Sequence, residues 1–349
     1  MQPVMNELRE TVALSLAKGM GPVVFGKLLE ALGSPSRILR ARPGRLVFDP
    51  DRLLEAADRE IDKARKSSVE IITLLDSRYP AELKAIHDPP ILLFVKGRLP
   101  EAARPKVTLV GSRQASAYGL KTARMISEGL AAADVVIVSG MAQGIDAAAH
   151  EGALAAGGIT LAVLGGGLSR IYPAENKRLA DRISERGALI SEHPMDTVPI
   201  PENFPVRNRI LSGLSKAVVV VEAAKKSGSL ITVDAALEQG RDVYAVPGNI
   251  DSENSRGTNH LIRQGAKLAL CAEDVLEELK IERRPVARSL PRLEGDEERI
   301  FSLIDHEPVA VDELVERSRL SAGRAVSVLS LLEIKGYVSE RPGKYYVRK

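Results

Sequence analysis

An α/β protein with a doubly wound, mostly parallel sheet at its centre is what three observations on this sequence predict. Short apolar, β-branched runs stop abruptly at Gly and Ser, as in VTLVGSRQASAYG (107–119) and VVIVSGMAQGIDAAAH (135–150). A helix-period pattern begins straight after each run. The unit then recurs through residue 265. Continuous apolar runs bounded by turn residues mark strands buried on both faces of a parallel sheet. Strands alternating with helices imply βαβ units. A small helical N-terminal domain and a C-terminal winged helix-turn-helix domain are predicted to flank this centre.

The N-terminal 1–70 read as helices. LRETVALSLAKGMGPVVFGKLLEALGS (8–34) places one helix on each side of Gly19 and Gly21, the second starting near Pro22, an acceptable first-turn position. The arrangement is that of a helix-hairpin-helix or of a hairpin that only packs. From 71 to 105 a connecting segment carries a Pro-Pro pair and a strand-like ILLFVKG (91–97), expected against the sheet edge. His87 and Asp88 within it read as loop residues.

The central segment, 71–280 with this connection included, then cycles. The run ITLAVLGGG (159–167) precedes a helical stretch near Ala174, and ALISE (188–192) precedes another at Pro205. AVVVVEAAKKSGS (217–229) leads into 230–239, and VYAVPGN (243–249) into 257–265. A Pro-containing, mixed-charge stretch over 281–295 reads as a linker. In the last unit, 296–349, DEERIFSLIDHEP (296–308) forms one helix. VDELVERSRL (311–320) and SAGRAVSVLSLLEIKG (321–336) form two more, with Asp312 and Ser321 as expected N-caps. YVSERPGKYYVRK (337–349) reads as a hairpin turning at Pro342-Gly343. From Arg288 onward eleven basic side chains meet eleven acidic ones, so this unit has no net positive field. Duplex DNA and protein both stay open as its partner.

Composition narrows the function. The 349 residues suffice for two or three domains, and the net charge of +3 decides little. No apolar run approaches the roughly 20 residues of a membrane span, so no membrane partner is expected. The N-terminus has acids where a secretory signal carries bases. The single cysteine, Cys271, permits neither an internal disulfide nor a Cys-rich metal cage. These features together favour the cytoplasm. Aromatic residues are 3% of the chain and Trp is absent, which leaves room for one or two base-stacking rings rather than a platform.

The nucleotide fingerprints fail. No GxGxxG opens a helix after the first central strand, and no GxxxxGK[ST] occurs. Neither a cofactor nor a metal is expected, and no nucleophile motif or dense carboxylate cluster marks a catalytic residue. Asp146 and His150 stand four apart on one helix face and are expected to pair and fix the helix. What remains is anion-binding chemistry in the loops beyond the carboxyl ends of the strands, where ligands of such sheets sit. Arg113 follows the first strand. Arg207 and Arg209 start the helix after the fourth. Lys225, Lys226, Ser227, Gly228 and Ser229 form the next strand-to-helix junction, which offers backbone N–H groups and the positive end of a helix dipole. Arginine gives bidentate phosphate contacts, and lysine gives point charge.

Several motifs occur in a fixed order: GSR (111–113), SGxAxGIDxxAH (139–150), YPxxN (172–176), SEHP (191–194), FPxRNR (204–209), SGSLIT (227–232) and VPG (246–248). In this order they resemble the bacterial DNA-processing protein A family, also called DprA or Smf. The resemblance spans nearly all of the central domain, and the flanking parts look like the family's usual ones. It implies a Rossmann-like fold that binds single-stranded DNA and has no enzymatic activity. It further implies protection of incoming strands in natural transformation, loading of RecA, and a homodimer. The DNA contacts it implies are Arg113, Lys226 with the 227–229 turn, Arg207 and Arg209 in RNR, and Phe204 as a stacking ring displayed from a Pro-rich loop. Relatives can carry a basic residue before that ring, where this chain has Pro201, Glu202 and Asn203. The alternative function is a nucleotide-processing enzyme similar to the lysine-decarboxylase-like phosphoribohydrolases, whose PGGxGTxxE is replaced here by SGSLITVDAALE (227–238).

Overall fold

The computed structural model describes residues 2–41, 48–281, 293–305 and 308–348. Residues 1–284 form one compact unit and 285–349 a second. Apart from its ends, the linker expected at 281–295 lies outside the described residues.

The first unit opens with helices α1 (Gln2–Ser15), α2 (Pro22–Leu32), α3 (Pro35–Ala41) and α4 (Pro50–Lys66). Strand β1 (Val69–Thr73), the short helix α5 (Ala81–Lys84) and β2 (Leu92–Gly97) follow. The alternating part then runs β3 (Lys106–Val110), α6 (Ala117–Ala132), β4 (Val136–Ser139), α7 (Ile145–Ala155), β5 (Thr160–Val163), α8 (Lys177–Arg186) and β6 (Ala188–Ser191). It continues with α9 (Asn203–Gly213), β7 (Ala217–Val220), α10 (Ser229–Glu238), β8 (Asp242–Ala245), α11 (Arg256–Arg263), β9 (Lys267–Leu268) and α12 (Ala272–Glu278).

All nine strands join one sheet in the order β1-β2-β6-β5-β4-β3-β7-β8-β9. Strands β3 to β9 pair in parallel, as the sequence predicts. The segment 71–105 does more than connect: β1 and β2 form an antiparallel hairpin, and β2 pairs antiparallel with β6, extending the sheet. Strand side chains alternate between faces. Val136, Val138, Val218 and Val220 therefore feed one apolar layer, while Val107, Leu109, Ile137 and Val219 feed the other. Burial on both faces explains why these strands read as unbroken apolar runs. The N-terminal helices belong to the same core, since Leu14, Phe25 and Ile38 pack in one layer with Leu93, Val138 and Val220.

The second unit contains α13 (Asp296–Phe301), β10 (Val309–Ala310), α14 (Val311–Ser318), α15 (Ala322–Ile334), β11 (Val338–Arg341) and β12 (Tyr345–Arg348). Its three strands pair in the order β10-β12-β11, over a core of Ile300, Leu314, Val328 and Leu332. This is the expected winged helix. Ser321 does precede α15, whereas Asp312 lies inside the first turn of α14 and Ala310 occupies its N-cap. Among the described residues no helix is long and apolar enough to cross a membrane.

Candidate nucleic-acid interface

The chain walks from β3 across to β6 in one direction, then returns to place β7 on the other side of β3. The sheet's switch point therefore lies between β3 and β7, and crevices open beyond the carboxyl ends of strands at such a point. A cleft of about 690 Å³ lies there. Val110 at the end of β3 with residues 111–114, and Ala224 with Ser227 to Ser229 after β7, supply two of its walls, and Tyr172, Pro199 and Phe204 close another.

Arg113 is exposed, but its backbone is fixed. The Ser112 amide donates to the Glu222 carbonyl at 2.8 Å, and the Ile145 amide at the start of α7 donates to the Ser112 carbonyl at 3.2 Å. That approach requires Gly144: its φ is +80°, and a Cβ there would sit 2.3 Å from the Ser112 carbonyl oxygen. The buried Glu222 carboxylate accepts from the Ser116 amide at 2.9 Å and from its hydroxyl, which pins the far end of the same loop.

Phe204 is not in a loop. It stands in the first turn of α9, half-buried over the loop after β5. A Cβ on Gly165 would come within 3.0 Å of its ring, so glycine lets the ring settle there. The Arg113 guanidinium lies 5.1 Å from the ring centroid, that of Arg207 5.8 Å, and the Tyr172 ring 5.9 Å. Cations placed over an aromatic face are attracted by its quadrupole.

The two arginines of RNR leave the surface. Arg207 is buried; it donates to the Gly140 carbonyl at 2.8 Å and to the Val163 carbonyl, bracing the ends of β4 and β5. Burial pushes its guanidinium down to about 10, opposed by the attraction of Asp146. Burial likewise pushes the Asp146 carboxyl above its ordinary value, with Arg207 opposing. Arg209 makes a bidentate pair with Glu192 at 2.7 and 2.8 Å and a further bond to Asp88 at 2.8 Å. Asp88, expected to be a loop residue without convergent partners, is therefore engaged by an arginine 121 residues away.

The expected Asp146–His150 pair does not form. Asp146 accepts from the Ala142 amide at 3.3 Å, while His150 Nδ1 meets Thr160 Oγ1 at 2.6 Å. The Thr160 hydroxyl donates to the Ile137 carbonyl, so His150 must donate through Nδ1. Its Nε2 is buried without a partner, and burial pushes its pKa down to about 3. It is a neutral core residue.

Lys225 and Lys226 are exposed on the turn that leads into the cleft-lining Ser227, Gly228 and Ser229. The amides of this junction are less open than a bare helix start. Ser229 N donates to Ser227 Oγ, Leu230 N to the Ser227 carbonyl and Ile231 N to the Gly228 carbonyl. The turn therefore presents the two serine hydroxyls, 2.8 Å apart, at the positive end of α10. The structure thus gathers Arg113, Phe204, Ser227, Gly228 and Ser229 around one cleft, with Arg207 beneath Phe204 and Arg209 elsewhere. Tyr172 also lines it, although the YPxxN motif by itself pointed to no role. A tyrosine before a proline in a post-strand loop was the available signal.

Fold and cleft define an α/β protein with a crevice at the switch point of its sheet, walled by an exposed arginine, an aromatic ring and a serine turn. The family model of DNA recombination-mediator protein A matches residues 70–280, and that of the DprA winged helix domain matches 284–344. The chain belongs to the DNA recombination-mediator protein A family. It is 42% identical to Protein Smf of Escherichia coli over 284 residues, 76% of this chain and 74% of that one. It is 48% identical to DNA processing protein DprA of Streptococcus pneumoniae over 208 residues, 60% of this chain and 73% of the relative. The X-ray structure of the Streptococcus pneumoniae protein superposes with a TM-score of 0.63 at 39% identity, covering 78% of this chain and 96% of that one. A structure of DNA processing protein A from Helicobacter pylori, described for its unique single-stranded DNA binding mode, gives 0.54 at 29% identity. It covers 61% of this chain and 97% of that one.

Proposed function

We propose that this protein binds single-stranded DNA in the switch-point cleft and acts without catalysis as a mediator of recombination in the cytoplasm. In that role it protects incoming strands and loads RecA as a homodimer. The observation that carries the reading is the convergence of the exposed Arg113, the half-buried Phe204 ring and the Ser227–Ser229 turn on one cleft. A single strand needs both groups the cleft offers: charge for phosphates, and an aromatic face for an unpaired base. The single-strand binding described for the Helicobacter pylori relative supports the same reading. Family membership supports the RecA, dimer and transformation parts.

The cleft residues all fall within the central 71–280 segment, which we propose as the binding part of the first unit, with the helices of 1–70 packed into the same core. For the winged helix, the pairings favour protein contact over duplex reading. Arg324, near the start of α15, is held by Asp296 at 2.7 Å, and Lys335 by Glu297 at 2.7 Å.

A titration against single- and double-stranded oligonucleotides at several salt concentrations tests the core of this proposal. Preference for the single strand, kept by a chain ending at residue 281, is the expected result. Equal affinity for both forms removes it. Incubation with nucleoside monophosphates is expected to return them unchanged; release of a free base would establish the phosphoribohydrolase alternative.

A further inference from the structure

A second compartment adjoins the cleft at the Phe204 ring. Its volume is about 350 Å³, inside the roughly 300–1,000 Å³ range of pockets that enclose a small molecule. It shares Arg113, Ala142, Tyr172 and Phe204 with the main cleft, so the two spaces meet at the aromatic corner. It adds two exposed polar side chains, Gln143 and Glu175, beside Gly140, Pro173 and Ala174. Its walls are tied together. Asn176 Nδ2 donates to the Met141 carbonyl at 2.8 Å, and Asp146 holds the Ala142 amide. A pocket fixed before the ligand arrives loses less ordering free energy on binding.

The chemistry of this compartment differs from that of the cleft. A carboxylate on the wall repels phosphate, so a strand would present a base here and leave its backbone in the main cleft. Tyr172 is 52% exposed and tilted 48° against Phe204, which gives the corner a second aromatic wall. The polar edge then discriminates between bases. Carboxylates accept hydrogen bonds and donate none. Thymine offers one N–H flanked by two carbonyl oxygens, which a carboxylate repels. Guanine offers two adjacent donors, N1–H and the exocyclic amine, in the spacing that the two oxygens of Glu175 match. Gln143 can donate to the guanine carbonyl.

We propose that this compartment is a base subsite selective for guanine, with Glu175 reading the base edge and Tyr172 packing on its face. It deepens the single-strand reading and rests on it.

The test uses the full chain and dT oligomers carrying either no substitution or a single central dG, with binding followed by fluorescence anisotropy. Flanking dT lets the strand slide until dG meets the subsite. The dG strand is expected to bind about five- to tenfold tighter, the lower part of what one bidentate base contact supplies. Replacing dG by deoxyinosine, which lacks the exocyclic amine, should remove most of the gain. Glu175→Gln should bring the ratio of dG-strand to dT-strand affinity close to unity, and Tyr172→Ala should weaken the dG strand more than the dT strand. Equal affinity of wild type for the two strands, with oligo-dT binding present in wild type and abolished in Phe204→Ala, overturns the subsite and leaves the cleft reading standing. A preference for dG that survives Glu175→Gln overturns the role of Glu175. Absence of any single-strand binding by wild type defeats the cleft reading, and the subsite with it.

Discussion

Replacing Phe204 by alanine tests the cleft at its most informative point. The ring is half-buried and touches two guanidinium groups and Tyr172, so it has both a packing and a binding role to lose. Stacking on one base contributes about 1–3 kcal/mol, which converts to a loss of roughly five- to 150-fold in affinity. No phosphate ligand disappears, so the slope of log affinity against log salt should hold nearly constant. Phe204→Trp should retain binding if the Gly165 floor accommodates the larger ring. The assay is affinity for an oligo-dT strand at several salt concentrations, with a thermal melt of each variant alongside. A purely structural ring would behave differently: Phe204→Ala would melt lower while folded protein kept its affinity. That result, reproduced in a Phe204→Ala/Tyr172→Ala double variant that removes the neighbouring ring as a substitute, would refute the stacking assignment.

Three further outcomes are expected. Arg113→Ala and Lys226→Ala should each reduce the salt slope by roughly 0.7, the share of a single phosphate on a single strand; an unchanged slope in the folded double variant would remove these loops from the DNA path. Arg207→Met leaves the Gly140 and Val163 carbonyls and Asp146 without their cation, so urea unfolding should show a loss of about 3–5 kcal/mol; wild-type stability with weakened DNA binding would instead make Arg207 a DNA ligand. His150 is neutral in the fold with its pKa near 3, against about 6.5 when unfolded, so its contribution is present above 6.5 and lost as pH falls toward 3. At pH 5 the unfolded state gains about 2 kcal/mol from its protonation, and His150→Gln should shrink the pH 7 to pH 5 stability loss by that amount; an identical loss in the variant would contradict the assignment.

Much of the fold was legible because burial on both faces writes itself into sequence as unbroken apolar runs. Strands β3 to β8 carry that mark. Strand β1, VEIIT, does not: it lies at the sheet edge, begins with an alternating pattern and adjoins the long polar helix α4. The two-residue β9 is too short to show any period. The site divided in the same way. Loops after strands were readable from Gly, Ser and charge, and they do converge. The depth of each arginine was not readable, because it depends on partners far along the chain. Arg207 binds carbonyls 67 and 44 residues away, and Arg209 reaches Asp88 across 121. Phe204 reads as a loop residue because Pro194, Pro199, Pro201 and Pro205 crowd around it, yet Pro205 sits in the first turn of α9, where a missing N–H is tolerated.

The helix itself explains how one short motif serves two purposes. On α9, Phe204, Arg207 and Asn208 stand at i, i+3 and i+4, the spacing that places side chains on one face. That face looks into the cleft, and all three line it. Arg209, at i+5, points elsewhere and is consumed by Glu192 and Asp88. The motif therefore contributes a ring supported by a buried cation rather than a pair of phosphate ligands. In the proposed reading, charge for the DNA backbone comes from Arg113, Lys225 and Lys226, which stand exposed on loops after β3 and β7, on the two sides of the switch point. With Pro201, Glu202 and Asn203 adding no cation before the ring, stacking in the proposed reading carries a larger share of affinity than the count of basic residues in the sequence suggests. A buried arginine under the ring makes physical sense in that design. It holds the ends of β4 and β5 at fixed spacing and keeps a positive charge behind the aromatic face, so the ring's position no longer depends on the exposed side chains around it.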